Sequence, residues 1–192
     1  MVRRTDTRQR MLDTAADLFH SQGYHATGLT QLTTAGGAPK GSLYFHFPGG
    51  KEQLAAEAVR LSSERTGALL EAILRDAPDA VTAIDRAVDA LASFLTESDF
   101  QRGCPLATVA LDAAADSEPI REACADGYAS WHDIIKNHLA GQRLSAERAD
   151  ELATVVLAAI EGGLLLARTR RDIAPLRAVA THLHATLDRE FS

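Results

Sequence analysis

Apolar residues recur at helical spacing along most of this 192-residue chain. In the clearest case Val81, Ile84, Val88, Leu91 and Leu95 lie three or four residues apart, which places them on one face of an α-helix. No segment alternates as a strand would. The chain is also rich in alanine and leucine, which favours helices. Together with the two short helices described next, the pattern predicts an all-α fold of about nine helices. One of the longer helices follows Pro78 and carries this stripe, and the others lie near residues 5–22, 51–75, 103–115, 119–141, 146–170 and 175–191.

Two short helices are predicted between residues 28 and 47, separated by the turn Ala35-Gly36-Gly37-Ala38. Thr27 is a candidate N-cap for the first, because its hydroxyl could accept a backbone N–H. Pro39 suits the first position of the second, since proline has no N–H to leave unpaired. Two short helices joined by a tight glycine turn are typical of a helix-turn-helix.

The chain divides into two predicted domains. With the helix before it, the helix-turn-helix forms a three-helix head at residues 1–50, and a helical bundle at 51–192 serves ligand binding and dimerisation. Residues 152–167 are apolar on almost every face, so both sides of that helix need a cover. Small residues there favour close packing against a second copy. The sequence predicts a two-fold homodimer through the last two helices, with Ala158, Ala159, Gly162 and Gly163 at the contact.

Charge is distributed unevenly along the chain. The net charge is −6, yet residues 1–51 carry six Lys or Arg against three Asp or Glu, and the remainder carries 14 against 23. A basic head on an acidic body suits a protein that contacts DNA at one end. Arg3, Arg4 and Arg8 stand where cations oppose the helix dipole. They serve either solubility or phosphate contact by an N-terminal arm.

The segment Pro39-Lys40-Gly41-Ser42-Leu43-Tyr44-Phe45-His46-Phe47, followed by Lys51-Glu52-Gln53-Leu54, resembles the TetR (tetracycline-repressor) family. The likeness is to the recognition helix and the start of the fourth helix of that family, and it extends over about residues 8–60. Pro39 stands where the family commonly has a capping serine, and Pro48-Gly49-Gly50 is one residue longer than the usual linker. The segments Glu161-Gly162-Gly163-Leu164 and Gly103-Cys104-Pro105-Leu106 resemble a subgroup linked to multidrug-efflux operons.

This resemblance implies a ligand-responsive transcriptional repressor. Such a protein binds double-stranded DNA at an inverted-repeat operator as a homodimer, and a small-molecule inducer releases it. Two alternatives stay open. One is an architectural DNA-binding protein without a ligand, and the other is an all-helical carrier or enzyme with a coincidental helix-turn-helix.

The candidate DNA contacts follow from residue chemistry and from the resemblance. Lysines neutralise phosphates, hydroxyl and imidazole groups bond to phosphates or base edges, and glycine allows close approach of the backbone. The resemblance implies that Tyr44 and His46 mostly hold phosphates. It places four residues nearer the bases: Lys40, Gly41, Ser42 and Phe45. The predicted contacts are Thr27, Thr30, Lys40, Gly41, Ser42, Tyr44, Phe45, His46 and Lys51.

A ligand site is predicted among the helices of the second domain. An aromatic-lined cavity with a few polar groups is the usual form of a small-molecule site. Glu161 interrupts an apolar helix, where a carboxylate is costly unless it is paired or faces a water-filled cavity, so a positively charged inducer would suit it. The predicted inducer is a small molecule that is apolar or cationic. The alternative for these residues is a packed core. The predicted ligand contacts are Phe94, Leu106, Val109, Tyr128, Trp131, Ile135 and Glu161.

Catalysis, metal binding and membrane insertion are not indicated. The chain contains none of the GxSxG, HExxH or GxGxxG motifs, and its histidine pairs lack the i, i+3 or i, i+4 spacing of ligands on one helical face. Cys104 and Cys124 match no zinc spacing. We therefore expect no cofactor, no metal and no enzymatic activity. We also expect no signal peptide, no spanning segment and a cytoplasmic location.

Overall fold

The computed structural model describes residues 4–37, 39–142 and 144–191, without the side chains of residues 4–6 and 40. Within these ranges the chain is helical and contains no strand, so the predicted all-α fold is confirmed. The helices are α1 (Arg4–Gln22), α2 (Leu29–Ala35), α3 (Lys40–His46), α4 (Gly50–Asp76), α5 (Ala80–Glu97), α6 (Pro105–Ala113), α7 (Glu118–Ala140), α8 (Ala146–Arg170) and α9 (Ala174–Phe191).

Side-chain caps fix two of the helix starts. Ser145 Oγ accepts the N–H of Arg148 at 3.2 Å, and Asp79 Oδ1 accepts the N–H of Thr82 at 2.7 Å. Each cap satisfies a backbone donor that the first turn of a helix leaves unpaired. The bond to Thr82 also holds the pKa of the Asp79 carboxyl below its usual value. The prediction that Ser145 begins α8 is confirmed.

The described chain divides into two compact units. The first comprises residues up to Glu64 and the segment Pro105–Tyr128, so it holds α1 to α3, the first half of α4, α6 and the first half of α7. Helix α1 packs against α2 and α6. This division differs from the predicted boundary after residue 50, because α6 returns to the head from far along the chain. Buried side chains of this core include Met11, Phe19, Leu32, Leu43, Phe47 and Leu54.

The second unit comprises residues Arg65–Cys104 and Ala129–Ser192. In it, α9 packs against both α5 and α8. The α5 stripe predicted from spacing supplies Ile84, Val88 and Leu95 to the buried core, whereas Val81 and Leu91 are half-buried. Helix α9 contributes Leu176, Leu183 and Leu187.

Helix α8 is apolar on two faces, and the residues that the structure describes cover one of them. Leu152, Val156 and Leu164 are buried, while Leu165 and Leu166 are 57% and 48% exposed. By length and composition α8 could cross a membrane, with a mean hydropathy of 1.6 over an 18-residue window of which a third is buried. Core helices of water-soluble proteins pass the same test, so this property alone assigns no membrane role.

Candidate nucleic-acid interface

The turn between α2 and α3 depends on two glycines. Gly36 N donates to Leu32 O at 3.0 Å, and Gly37 adopts a φ of +62°, a value that glycine takes without steric cost. A Cβ on Gly36 would lie 3.1 Å from Met11 Cγ, so α1 packs directly on the turn. The sequence therefore forms the predicted helix-turn-helix, braced by α1.

Helix α3 has one buried side and one exposed side. Leu43 and Phe47 are 1% and 0% exposed and anchor the helix in the head, as their apolar spacing predicts. Tyr44 and Phe45 are 58% and 59% exposed. Pro39 is the N-cap of α3 rather than its first helical residue, because its ψ of 149° lies outside the helical range. The exposed side of α3 is available to a partner.

The remaining predicted contacts on α3 share this exposed side to different degrees. Gly41 is exposed, and an added Cβ would meet no atom within 4 Å. Ser42 and His46 are half-buried, and the His46 ring stands edge-on to that of Phe45 with centroids 5.0 Å apart. Lys40 begins the helix, and its side chain lies outside the described residues.

Thr27 does not have the role predicted for it. Its side chain is 0% exposed, and its hydroxyl donates to Gly23 O at 2.7 Å. The N-cap of α2 is Gly28, and no side chain caps that helix. The predictions that Thr27 caps α2 and touches DNA are wrong, because its hydroxyl satisfies the end of α1 instead. Thr30, in the first turn of α2, is exposed as a DNA contact would require.

Lys51 is held against the turn that follows α1. Its ammonium nitrogen lies 4.2 Å from the centroid of the Tyr24 ring. Burial lowers the pKa of Lys51, an effect that the charge of Asp112 opposes. Burial also raises the pKa of Tyr24, with a smaller contribution from Glu52. Lys51 is half-buried, so part of its side chain remains accessible.

A chain of hydrogen bonds fixes the junction between α3 and α4. Gly49 N donates to Gln53 Oε1 at 2.8 Å, and Gln53 Nε2 donates to Glu57 Oε1 at 2.9 Å. Glu57 also forms an ion pair with Arg8, whose guanidinium carbon lies 4.8 Å from the centroid of the Phe47 ring. Of the basic residues predicted for an N-terminal arm, Arg8 thus braces the head, while the Arg3 and Arg4 side chains lie outside the described residues.

The exposed ring of Tyr44 lies against the start of α4. Gly50 has a φ of +68°, and a Cβ there would approach Tyr44 Cε1 to 3.3 Å. The N–H of Gly50 donates to Phe47 O at 2.8 Å, which closes the turn. A bulkier residue at position 50 would strain the backbone and move the Tyr44 ring.

Two bonds join α6 and the start of α7 to the head, and sequence reasoning missed both. Asp112 Oδ2 accepts the N–H of His25 at 2.7 Å, and Ser117 Oγ donates to Glu52 Oε1 at 2.6 Å. The partners are 87 and 65 residues apart in sequence. A lone aspartate and a lone serine carry no local pattern, so no signal in the sequence could have found these contacts.

Three predicted ligand residues lie in the first unit. Leu106 and Val109 are buried and Tyr128 is half-buried. A Cβ on Gly127 would lie only 2.6 Å from Leu106 Cδ2, so α6 and α7 pack closely here. Leu106 is therefore tightly enclosed by α7.

The other four predicted ligand residues lie in the second unit, with different exposure. Trp131 is 4% exposed and packs near Gly67, where a Cβ would lie 3.6 Å from its indole nitrogen. Ile135 and Glu161 are half-buried, and Phe94 is 55% exposed. An open groove of about 300 Å³ occurs in this unit, and none of the predicted ligand residues lines it. Its lining is Glu71, Leu74, Arg75, Ile134, Asn137 and His138.

Cysteine and metal chemistry find no support among the described residues. Cys104 and Cys124 are buried and unbridged. Burial raises the pKa of Cys124 to about 11, which keeps it a thiol rather than the reactive thiolate at neutral pH. Within the ranges that the structure describes, no group of three or more His, Cys, Asp or Glu side chains could hold a metal ion.

Comparison with known proteins matches two segments of the chain to families of transcriptional regulators. Residues 11–58 match the family model "Bacterial regulatory proteins, tetR family". Residues 80–182 match "Transcriptional regulator LmrA/YxaF-like, C-terminal domain". The first match contains α2, α3 and the contacts of their junction with α4, and the second begins with α5.

Full-length relatives show the same assignment. The chain is 39% identical to the HTH-type transcriptional regulator LmrA of Bacillus subtilis over 191 residues, covering 96% of this chain and 98% of LmrA. It is 38% identical to YxaF of the same organism, an uncharacterised HTH-type transcriptional regulator, covering 95% and 96%. A structure of the TetR-family regulator CifR, a cysteine variant bound to a 26-bp double-strand operator DNA, superposes with a TM-score of 0.77. That match has 27% identity and covers 91% of this chain and 93% of CifR.

Proposed function

This chain belongs to the TetR family of transcriptional regulators, and from that premise we propose that it is a ligand-responsive repressor of an inverted-repeat operator. DNA binding and regulation of transcription are the properties it shares with its relatives. Binding as a two-fold dimer, release by a small molecule and a cytoplasmic location are the finer parts of the proposal.

The two-sided character of α3 carries the DNA-binding part of this proposal. Leu43 and Phe47 fix the helix to the head, while Gly41, Tyr44 and Phe45 are presented to solvent. The second helix of a helix-turn-helix enters the major groove with its exposed side. Exposed Thr30 on α2 supports contact with the phosphate backbone beside it. The DNA complex of CifR supports a similar use of the same fold.

The outer side of α8 supports the dimer. Leu165, Leu166 and Val155 are 45–57% exposed there, and an apolar helix face of this kind is stabilised by a second copy. Gly162 on this side is exposed, and a Cβ there would meet no atom within 4 Å. The predicted contact at Gly163 is corrected, because this residue is buried and a Cβ would lie 3.2 Å from Leu176 Cδ2 of α9. Two copies then carry two heads to half-sites about one helical turn apart.

Release of the protein from DNA by a small-molecule inducer is the remaining part of the proposed function. Half-buried Glu161 in an otherwise apolar stretch of α8 supports a ligand that is apolar or cationic. Such a molecule can shift the DNA equilibrium only if it binds the DNA-competent and DNA-incompetent states with unequal affinity. A coupling on the order of 1–3 kcal/mol would suffice. Buried Trp131 offers an intrinsic fluorescence signal for occupancy.

Gel-shift and fluorescence-anisotropy measurements with the purified protein test the DNA and dimer parts. We expect specific duplex binding that weakens steeply with salt, because phosphate contacts release counterions. Replacing Tyr44 with alanine should weaken binding more than replacing Lys136, which pairs with Asp150 on α8. Absence of duplex binding at low salt would overturn the proposal.

The dimer is tested by a charge at the open glycine of α8. We expect Gly162→Glu to yield monomers in light scattering and to lose operator binding at the same time. Ala125→Glu, which places the same charge on an exposed position of α7, is the matched control and should remain dimeric. A dimeric Gly162→Glu protein would contradict the α8 contact.

The inducer part is tested by screening apolar and cationic drugs for release of the protein from its operator. Compounds that change Trp131 fluorescence should also lower operator affinity. If compounds that quench Trp131 leave operator affinity unchanged, the protein acts as a DNA-binding protein without this ligand response.

A further inference from the structure

We propose that an arginine patch on the second unit binds backbone phosphates of the operator duplex. The inference rests on the proposed function, because operator DNA is the polyanion concerned. It adds contacts that carry no sequence information, since phosphates are the same at every base pair. The patch comprises Arg102, Arg168, Arg170, Arg171 and Arg177.

Positive charge is concentrated in this arginine patch, although the second unit as a whole is acidic. Residues 65–104 and 129–192 contain 12 Lys or Arg and 15 Asp or Glu. Five of the 12 bases lie in the patch, together with two acids, Asp99 and Asp172. The rest of the unit carries seven bases against 13 acids. A cluster of one sign on a surface of the other sign creates a local potential that attracts an oppositely charged partner, here a polyanion.

Contacts within the second unit bring the arginines together from two segments of the chain. Arg171, which follows the last residue of α8, forms an ion pair with Asp99. A Cβ on Gly103 would lie 3.2 Å from Arg168 Cδ and 3.7 Å from Arg168 Nη1. The end of α8 therefore packs against the segment that follows α5, and Arg102 belongs to that segment.

Packing within the chain does not account for two of the arginines. Arg170 is the last residue of α8, Arg177 lies in the first turn of α9, and both side chains are exposed. Within the ranges that the structure describes, neither side chain forms an ion pair or a hydrogen bond. A cation in the first turn of a helix opposes the helix dipole, so the position of Arg177 is unfavourable for α9 by itself. Each of these guanidinium groups has five N–H donors for a partner.

The backbone of Arg171 supports a role for its side chain in binding. Its φ of +52° lies in the left-handed region, where glycine ends many helices without steric cost and an arginine is less stable. Its ion pair with Asp99 is exposed, with 59% of the Arg171 side chain and 74% of the Asp99 side chain accessible. Exposed ion pairs add little stability. Neither the backbone nor the ion pair explains an arginine at this position, whereas binding of an anion does.

Residue type then selects the partner. All five bases of the patch are arginine. The planar guanidinium can donate two parallel N–H bonds to a phosphate or to a carboxylate. Phosphate is the anion that the proposed function already brings to the protein, as duplex DNA with one negative charge per about 1.7 Å of its axis. Carboxylates would instead belong to an acidic protein, which is the competing outcome of the test.

The experiment measures operator affinity against salt concentration by fluorescence anisotropy. The operator is first selected from a randomised library of about 30 base pairs, enough for two half-sites one helical turn apart. One double variant, Arg170→Gln with Arg177→Gln, removes charge from the patch, and a second, with lysine at both positions, keeps it. The matched control is Arg75→Gln with Arg189→Gln, which removes the same charge from exposed positions of the second unit outside the patch.

We expect the glutamine variant of the patch to have a shallower slope of log affinity against log salt concentration, by about 3.6, because a dimer would lose four phosphate contacts. The control and the lysine variant should keep the wild-type slope. Affinity for a scrambled duplex should fall by the same factor as affinity for the operator, since phosphate contacts do not distinguish sequences. Light scattering and thermal melting check that each variant is folded and associated as the wild type is.

Ethylation interference then locates the contacts, because an ethyl group removes the charge of a single phosphate. We expect operator phosphates at which ethylation weakens binding of the wild type and leaves binding of the patch glutamine variant unchanged. The control variant should show the wild-type pattern at the same phosphates.

Two results would overturn the inference, and both are distinguishable from failure of the proposed function. If the patch glutamine variant keeps the wild-type salt slope and ethylation pattern, the patch serves an acidic protein or a small anion rather than DNA. If the control variant loses as much slope as the patch variant, the effect follows from net charge alone. If the wild-type protein binds no duplex at low salt, the proposed function fails and this inference fails with it.

Discussion

Lys51 and Tyr24 form a cation–π pair in which the ammonium nitrogen lies 4.2 Å from the ring centroid. The pair joins the first turn of α4 to the segment between α1 and α2. For a partly exposed pair of this kind the contribution is about 0.5–1 kcal/mol. Because the ring holds the lysine beside the helix-turn-helix, the pair also orients a positive charge that a phosphate can use.

Lys51→Ala tests whether this charge reaches DNA. A dimer would lose two phosphate contacts, so the slope of log affinity against log salt concentration should become shallower by about 1.8. Lys136→Ala is the control, because its ammonium donates to Asp150 at 2.6 Å in the second unit and should leave the slope unchanged. An unchanged slope for Lys51→Ala would show that the residue only braces the head.

The ion pair of Arg8 with Glu57 provides a second prediction. Arg8→Ala removes both this pair and the contact with the Phe47 ring. We expect the free energy of unfolding, measured by urea titration, to fall by about 1–2 kcal/mol after allowance for solvent screening.

Arg10→Ala is the matched control for Arg8, since Arg10 is exposed and its guanidinium donates to Thr7 Oγ1 at 3.4 Å. Arg10→Ala should change the free energy of unfolding little. If Arg8 instead contacts phosphates as part of an arm, its replacement would lower the salt dependence of DNA binding and leave unfolding unchanged, contrary to this prediction.

Gly41→Ala should separate stability from function. Alanine is the better helix former, so the free energy of unfolding should rise by about 0.5–1 kcal/mol. DNA affinity should fall, because the added methyl group occupies the space through which α3 approaches the duplex. Urea titration and anisotropy on the same preparation measure both quantities.

Gly127→Ala is the contrasting substitution for Gly41→Ala. Its Cβ would lie 2.6 Å from Leu106 Cδ2 and 2.8 Å from Ser63 Oγ. Overpacking of this kind typically destabilises by about 1–3 kcal/mol. A rise in stability at both positions would mean that the space around Gly127 adjusts more easily than the packing indicates.

His138 makes stability depend on pH. Burial lowers the pKa of its imidazole, and the Gln142 amide nitrogen lies 2.8 Å from Nε2, so the neutral ring accepts a bond that protonation removes. The unfolded chain binds the proton more readily, near its ordinary pKa of about 6.5. The contribution of the neutral His138 ring to the free energy of unfolding is therefore present above about pH 6.5. It is lost as the pH falls through the lower pKa that His138 has in the folded protein.

His138→Gln tests this prediction. The loss of melting temperature between neutral and mildly acidic buffer should be smaller in the variant than in the wild type. His182→Gln, at an exposed position of α9, is the control and should behave as the wild type does. Equal pH dependence in all three proteins would be contrary to the prediction.

Local patterns in the sequence determined the helices and the nature of the head. The spacing of the α5 stripe predicted a buried face, and Ile84, Val88 and Leu95 lie in the core, because helical periodicity acts over three or four residues. The motif around Lys40–Phe47 indicated the family, because its residue types occur in a fixed order over a short segment. These properties depend on neighbours in sequence, so no tertiary information was needed.

Tertiary structure decided which of several similar residues are buried and which are exposed. Thr27 and Thr30 look alike in sequence, yet packing buries the first and exposes the second. Gly162 and Gly163 are adjacent, and only the contact of α8 with α9 turns Gly163 inward. The helical period cannot orient a helix that is apolar all round, because every rotation buries similar surface.

Contacts between distant segments were likewise beyond the sequence. Asp112 bonds to the N–H of His25, and this places α6 with the head although 87 residues separate the two. A single acidic residue on an amphipathic helix has no periodic signal that names its partner. The sequence by itself determined what the chain folds into locally and which family it resembles. Only the assembled core decided which side chains remained on the surface of α3, because burial depends on every helix that packs around it.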